Sequence, residues 1–276
     1  MAQRLAELYP TAFVTGASTG LGRAFAEMLL AEGVRVWGTA RDPARLAELA
    51  RHPHFTPVAL ELRAGAAAEA AFQAAAVAAG GAFALVINNA GYGVFGDFAA
   101  TDFAVWQEQM EVMLINTARL AHAALRGMRA ANRGALVNIS SLAAEFPLPF
   151  QSAYNVTKAG LTALNESLMI ETAGTGLVVL DVRPGDYRTD FEGSVRRPAG
   201  ATTPRMERAW AAFGRMMLTG PEPAHAAAAL RRALLRRRSG TVRCGRFFQA
   251  VMAPLLSRLG SLPLRRRIQA KYFDLG

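Results

Sequence analysis

Short apolar runs alternate with stretches of helical spacing from the start of the chain, and this alternation limits the fold more than any other feature. Residues 11–15, 34–39, 55–60, 83–87, 135–139 and 177–182 each read as a strand. Helical segments lie between them at 23–32, 43–51, 66–79, 101–131 and 151–173. Strands without polar alternation are buried on both faces. Strands separated by helices pair in parallel through right-handed crossovers. The expected fold is therefore α/β, a doubly wound parallel sheet in three α/β/α layers. No repeat or linker interrupts the pattern, so residues 1–276 are expected to form a single domain.

Composition removes several function classes. The 276 residues carry 31 basic and 21 acidic side chains, a net of +10, but the charge is unevenly placed. Residues 1–187 hold 13 basic and 16 acidic groups, whereas residues 188–276 hold 18 and 5. The core is thus mildly acidic, and no nucleic-acid-binding module accompanies the basic third. A lone cysteine, Cys244, rules out an intramolecular disulfide, and four scattered histidines (His52, His54, His122, His225) show no zinc spacing. No metal site is expected, and His52-Pro53-His54 reads as a loop. The uncharged stretch 70–96 is cut by Gly80-Gly81 and Asn88-Asn89, which argues against a membrane span. Met1-Ala2-Gln3-Arg4 leads to a strand within a dozen residues, leaving no room for a signal peptide, and a cytoplasmic location is expected.

The first strand runs into Thr15-Gly16-Ala17-Ser18-Thr19-Gly20-Leu21-Gly22, and a helix follows. Glycines permit a tight turn and close backbone approach to a pyrophosphate, while the helix N-terminus supplies N–H groups and a positive dipole. At that position in a β-α series the turn reads as a dinucleotide site on a Rossmann-like sheet. Strand two ends at Thr39-Ala40-Arg41-Asp42. The acid that would hold ribose hydroxyls is missing there, and Arg41 offers a guanidinium for a 2′-phosphate, so NADP(H) is favoured. The alternative for Arg41 is a surface charge paired with Asp42. Glu61 and Leu62, ending strand three, would flank the adenine.

Three further clusters fall beyond the carboxyl ends of strands, where a parallel sheet holds its ligand. They are Asn88-Asn89-Ala90-Gly91, Asn138-Ile139-Ser140-Ser141, and Tyr154-Asn155-Val156-Thr157-Lys158. Tyr154 and Lys158 share a helix face at i, i+4. A phenol is a poor base at neutral pH, and a neighbouring ammonium favours its ionised form. The chain otherwise uses arginine almost throughout; its only lysines are Lys158 and Lys271.

In order along residues 11–190, these motifs resemble the short-chain dehydrogenase/reductase family, in its shorter single-domain branch. The T-G-x-x-x-G-x-G turn, N-N-A-G, a serine thirteen residues before the tyrosine, and Y-x-x-x-K are all present. Pro184-Gly185 followed by Thr189 matches that family's P-G-x-x-x-T element, with Tyr187 inside it. The resemblance implies a general acid/base at Tyr154, an oxygen-binding hydroxyl at Ser141, and a ribose-binding, pKa-lowering cation at Lys158. It further implies a water-ordering group at Asn116 and a nicotinamide-holding hydroxyl at Thr189. Ser140 is one residue out of register for the serine role. Ala144 stands where glycine is common, Glu61 where aspartate is usual, and Asp186 and Arg188 place charges beside the nicotinamide pocket.

Residues 188–217 are expected to form a lid bearing Phe191, Met206, Trp210, Phe213, Met216 and Met217. With the apolar segment 142–151, these suit a small hydrophobic alcohol or carbonyl compound. Residues 245–276 form a basic, apolar extension in which Phe247, Phe248, Leu255, Leu256, Leu259 and Leu262 stand beside Arg258 and Arg265-Arg266-Arg267. Docking on its own domain or on a sister subunit of a homodimer or homotetramer is the preferred reading; peripheral contact with an anionic membrane is the other. The expected activity is NADP(H)-dependent oxidoreduction, with a non-catalytic nucleotide-binding scaffold as the rival.

Overall fold

The structure is a computed structural model and describes residues 3–198, 202–257 and 259–275. A short helix, α1 (Leu5–Leu8), leads into β1 (Thr11–Val14), every residue of which is buried. Helix α2 (Gly20–Ala31) leaves the glycine turn and is stopped at Gly33, whose φ of 82° suits a residue without Cβ. β2 (Arg35–Ala40) and β3 (Phe55–Ala59) follow, then α3 (Gly65–Ala79), β4 (Leu85–Asn88), α4 (Phe103–Met110) and α5 (Asn116–Ala130). β5 (Gly134–Ile139), α6 (Ser152–Glu171) and β6 (Leu177–Pro184) carry the remaining expected motifs. Beyond them come α7 (Phe191–Ser194), α8 (Pro204–Leu218), α9 (Pro223–Arg236), β7 (Gly240–Cys244), α10 (Ala253–Ser257) and α11 (Leu262–Tyr272).

All seven strands pair in parallel in the order β3-β2-β1-β4-β5-β6-β7. The order reverses between β1 and β4, so a crevice opens there beyond the carboxyl ends. One sheet face packs on α1, α2 and α9 through Phe25, Leu29, Leu230 and Leu234. The other packs on α3, α5 and α6 through Phe72, Leu120, Met128 and Tyr154. A smaller core gathers Phe95, Val195, Met206, Phe213 and Met217 beneath α8. Part of the expected lid wall is therefore structural.

Three expectations change. Residues 43–51 form two 3₁₀ turns, Pro43–Leu46 and Leu49–Arg51, rather than one helix. Asp42 accepts the Ala44 N–H at its start, and His52 is already extended ahead of Pro53, leaving too little chain to nucleate an α-helix. The long segment 101–131 is interrupted by a π-turn at Glu111–Ile115. A seventh strand appears at the sheet edge; its short, half-exposed, arginine-bearing sequence gives little periodic signal.

Buried polar groups tie the carboxyl ends of the strands together. Asn88 Nδ2 donates to Asn138 Oδ1 at 2.8 Å, Asn138 Nδ2 to Asn165 Oδ1 at 2.6 Å, and Asn165 Nδ2 to Asp181 Oδ1 at 3.0 Å. Asp181 also accepts from Ser140 Oγ at 2.5 Å and from Arg183 Nε at 2.6 Å. Arg183 reaches Glu145 and Glu166, and Arg243 on β7 shares Glu145. Removing the cation from such a group strands a buried anion. Arg183→Met should cost about 3–5 kcal/mol, read as a lowered urea midpoint; a loss below about 1 kcal/mol would show that Asp181 does not need it.

Candidate active site

One cleft of about 1130 Å³ runs along the carboxyl ends of the strands. Its cofactor-facing end is built on the glycine turn. Gly16 has φ of 68°, and a Cβ at Gly22 would come within 2.1 Å of the Gly16 carbonyl oxygen, so the turn closes only with glycine at both positions. Thr19 precedes α2 without a side-chain cap, which leaves the first-turn amides of Gly20, Leu21 and Gly22 open to an acceptor. Ser18, Thr19, Gly20 and Leu21 all line the cleft.

The turn is held from behind. Thr15 Oγ1 accepts the N–H groups of Asn89 at 2.8 Å and Ala90 at 3.0 Å. Asn89 Nδ2 donates to the Thr15 and Gly16 carbonyls at 3.1 and 3.3 Å. The side chain of Asn89 therefore braces the turn, while Asn89, Ala90 and Gly91 present one wall of the cleft. Thr15 opens the T-G-x-x-x-G-x-G motif, and the structure gives its buried hydroxyl the task of bracing the turn against Asn89 and Ala90.

At the outer end, Arg41, Arg45, Glu61, Leu62 and Arg63 line the cleft beside Thr39 and Ala40. Asp42 caps Ala44 instead of pairing with Arg41, and Arg41 makes no ion pair among the described residues. On the far side, Pro184, Gly185, Asp186, Tyr187 and Thr189 line the cleft, and Thr189 Cβ lies 3.5 Å from where a Gly20 Cβ would sit. The Tyr187 ring belongs to the main core, with its hydroxyl 2.9 Å from His225 Nδ1, so only its backbone can serve a ligand.

The reactive groups meet at the ends of β5 and α6. Tyr154, Lys158, Leu161 and Asn165 form one buried stripe of α6. Ser141, on the loop leaving β5, accepts the Ala143 N–H at 3.0 Å, and its own proton finds the Pro184 carbonyl only at 3.5 Å. Ser140 Oγ is committed to Asp181 and is buried. Lys158 Nζ donates to the Ile139 carbonyl at 2.7 Å and lies 5.5 Å from the centre of the Tyr154 ring.

Burial pushes the Tyr154 phenol up to about 12; the Ser141 hydroxyl opposes the rise and the Asp186 charge adds to it. Burial pulls the Lys158 ammonium down to about 8 against the attraction of Asp181. Lys158 does not figure among the groups that act on the phenol, so the expected lowering by its charge is absent and burial sets the direction.

Asn116 is not brought to this group. Its Nδ2 donates to the Leu62 carbonyl at 2.8 Å, its side chain lies against Gly65, and it does not border the cleft. The π-turn before it, with its extra residue per turn, swings it away from the face that Met113 presents. Met113 borders the cleft and its sulfur accepts the Tyr92 N–H at 3.4 Å.

The outer wall comes from the C-terminal extension. The extension lines the cleft with Phe248, Gln249, Leu256, Leu264, Ile268 and Tyr272, all but Gln249 still largely exposed. Phe273 is buried, and Gln269 donates to the Pro147 carbonyl at 3.0 Å. The extension thus docks on its own domain. Phe247, Leu255 and Leu259 remain exposed, while Arg258 lies outside the described residues.

The profile of the short chain dehydrogenase family matches residues 10–200. The chain belongs to this family. It is a family of NAD(P)-binding oxidoreductases. Among curated relatives, a 3-ketodihydrosphingosine reductase from Bacteroides thetaiotaomicron is 30% identical over 181 residues, covering 64% of this chain and 64% of that protein. A 3-oxoacyl-(acyl-carrier-protein) reductase FabG from Vibrio cholerae is 33% identical over 182 residues, covering 65% of this chain and 74% of the relative. The match spans just under two thirds of the first relative's length. A crystal structure of a short-chain dehydrogenase from Streptomyces avermitilis superposes with a TM-score of 0.81 at 30% identity, covering 95% of this chain and 98% of its own. Among the described residues, no helix is long and apolar enough to cross a membrane, and no group of three or more metal-ligating side chains is assembled.

The Lys158 shift has a consequence for stability. Folding lowers the ammonium from its ordinary 10.5 to about 8, so between those values the unfolded chain binds more protons and stability rises with pH. The wild type should gain roughly 3 kcal/mol relative to Lys158→Met across that window. Paired urea denaturations at pH 7 and 10.5 measure the gain; an unchanged difference would mean that Lys158 pays no burial cost.

Proposed function

We propose that the chain is an NADP(H)-dependent oxidoreductase that interconverts a hydrophobic alcohol and its ketone or aldehyde. The observation that carries this reading is the convergence of Ser141, Tyr154 and Lys158 on the same cleft as the uncapped amides of α2. The cradle fits a dinucleotide. Gly20, Leu21 and Gly22 would hold its pyrophosphate, Asn89–Gly91 and Lys158 the ribose, and Thr189 with the Tyr187 backbone the carboxamide. The bound nicotinamide supplies or accepts the hydride.

The chain's own groups manage the proton. In reduction Tyr154 Oη gives its proton to the carbonyl oxygen, and a phenol with a high pKa keeps that proton until the oxygen becomes basic. Ser141 Oγ, whose hydrogen is weakly held, turns to donate to the same oxygen as charge develops. Lys158, fixed by the Ile139 carbonyl, keeps positive charge beneath the ring. In oxidation the proton moves in reverse, from the alcohol to Tyr154. A scaffold role would require none of this alignment.

Leu142, Phe146, Leu148, Phe191, Phe213 and Met216 line the cleft and support a hydrophobic substrate. The keto and oxo compounds named for the two curated relatives agree with a carbonyl group. With purified protein and a panel of apolar ketones, Tyr154→Phe should lower kcat by about 10²–10⁴ while circular dichroism stays unchanged. Undiminished turnover would end the mechanism.

The preference for NADP(H) rests on Arg41, which stands without an acidic partner, and on Arg45 close by. In fluorescence titrations NADPH should bind more tightly than NADH. Arg41→Ala should weaken NADPH by about 10–100-fold and NADH by far less. Tighter binding of NADH by the wild type would overturn the assignment.

A further inference from the structure

Asp186 is an acid in a largely apolar part of the cleft, and neither the fold nor the proposed proton chemistry uses it. It follows Pro184-Gly185 at the end of β6 and borders the cleft, close enough to Tyr154 for its charge to act on the phenol. It forms no ion pair among the described residues. Its side-chain partner is Gln249 Nε2, a neutral donor from the C-terminal extension. Arg246, the cation whose charge reaches it, donates to the Thr219 carbonyl instead. Burial accordingly pushes the Asp186 carboxyl up, opposed by Gln249 and Arg246. A desolvated carboxylate is costly until a cation completes it.

The neighbouring amide is held in a fixed orientation. Gln249 Nε2 donates both to Asp186 and, at 3.0 Å, to Tyr272 Oη, which sets the orientation of the amide. Its oxygen, Oε1, is buried and has no hydrogen-bond partner among the described residues. That oxygen lies against Gly185 and Gly245, so what the wall presents is the Asp186 carboxylate, answered within the chain by the neutral Gln249 amide alone. The required complement is positive, compact and rich in N–H groups. An ammonium has three donors and no acceptor; a hydroxyl supplies one donor and no charge. A carboxylate would be repelled. Of the other cations in this part of the cleft, Arg196 pairs with Glu108 and Lys158 donates to the Ile139 carbonyl, while Arg265 reaches the Glu145 carbonyl at 3.4 Å and keeps an unpartnered Nε among the described residues. Around the acceptors the surface is aliphatic and aromatic, with Leu142, Phe248, Leu256, Leu264 and Ile268.

We propose that Asp186, oriented by Gln249, binds the protonated amine of an otherwise apolar substrate, so that the chain acts on alkyl amino alcohols and the matching amino ketones. This rests on the oxidoreductase reading and narrows its substrate class. Asp186 determines specificity here; it takes no part in the proton transfer.

A chain-matched pair, 2-aminodecan-3-ol and decan-3-ol, tests the idea on the protein loaded with NADP⁺ at pH 7. Oxidation is followed by absorbance and binding by calorimetry. In the wild type kcat/KM and affinity should favour the amino alcohol by about tenfold or more. Asp186→Asn should bring the two within about threefold of each other, and Gln249→Leu should lower the preference by a smaller factor. Equal handling by the wild type, which needs no variant, overturns the proposal. So does an equal loss for both alcohols in a folded Asp186→Asn protein, which would place Asp186 on the cofactor or in the fold. Turnover of decan-3-ol without an amine preference leaves the oxidoreductase reading standing and removes the amine site. Preferential binding of the amine without turnover of either alcohol does the reverse.

Discussion

The catalytic end of the sheet is organised around one buried anion. Asp181, fully enclosed on β6, accepts hydrogen bonds from Ser140, Asn165 and Arg183. Each bond fixes a different element. Ser140 sets the end of β5, immediately before Ser141. Asn165 lies on the α6 stripe that carries Tyr154 and Lys158. Arg183 reaches Glu145 in the loop after Ser141, and Glu145 in turn holds Arg243 on the edge strand. The same charge acts on Lys158, helping to retain a proton that burial would remove. A low local dielectric makes such a network rigid when complete and costly when broken. Fixed geometry at Ser141 and Tyr154 is thus inherited from a site that touches neither.

Much of this region was legible in the sequence because its signals are local. The glycine turn must follow a strand and open a helix, and Tyr154 and Lys158 share a face through helical spacing alone. Other features depend on packing that no local pattern records. Asn116 has the right residue type on the right segment, yet a π-turn one step earlier sends its amide to Leu62. Asn89 sits in the expected motif, but its side chain braces Thr15 and Gly16. The segment 43–51 has helical composition but not the length, given the Asp42 cap and Pro53 at its ends. Helical spacing sets Lys158 beside Tyr154, while the direction of the phenol's shift is set by burial, a tertiary quantity.

The uneven charge also resolves into structure. Arginines of the basic third are drawn onto the acidic core and its loops: Arg231 to Glu32, Arg243 to Glu145 and Arg196 to Glu108. Arg265 reaches the Glu145 carbonyl. The exposed Arg196–Glu108 pair contributes little by itself, but with the part-buried Arg231–Glu32 and Arg243–Glu145 pairs it sets where the C-terminal segments lie. The surplus therefore serves first as a means of attaching the last third of the chain over the cleft.

That attachment divides the labour within the molecule. The family match ends at residue 200, and every residue proposed to handle cofactor and proton lies before that point. The outer wall comes after it, from Phe248 to Phe273. Chemistry and selectivity are thus written in different parts of the chain, so relatives that share the first part need not share a substrate. Asp186 stands at the junction. It belongs to the strand-end element by sequence, but its carboxylate is oriented by Gln249, a residue of the outer wall. A change in the extension can therefore alter what the cleft accepts while Ser141, Tyr154 and Lys158 stay in place.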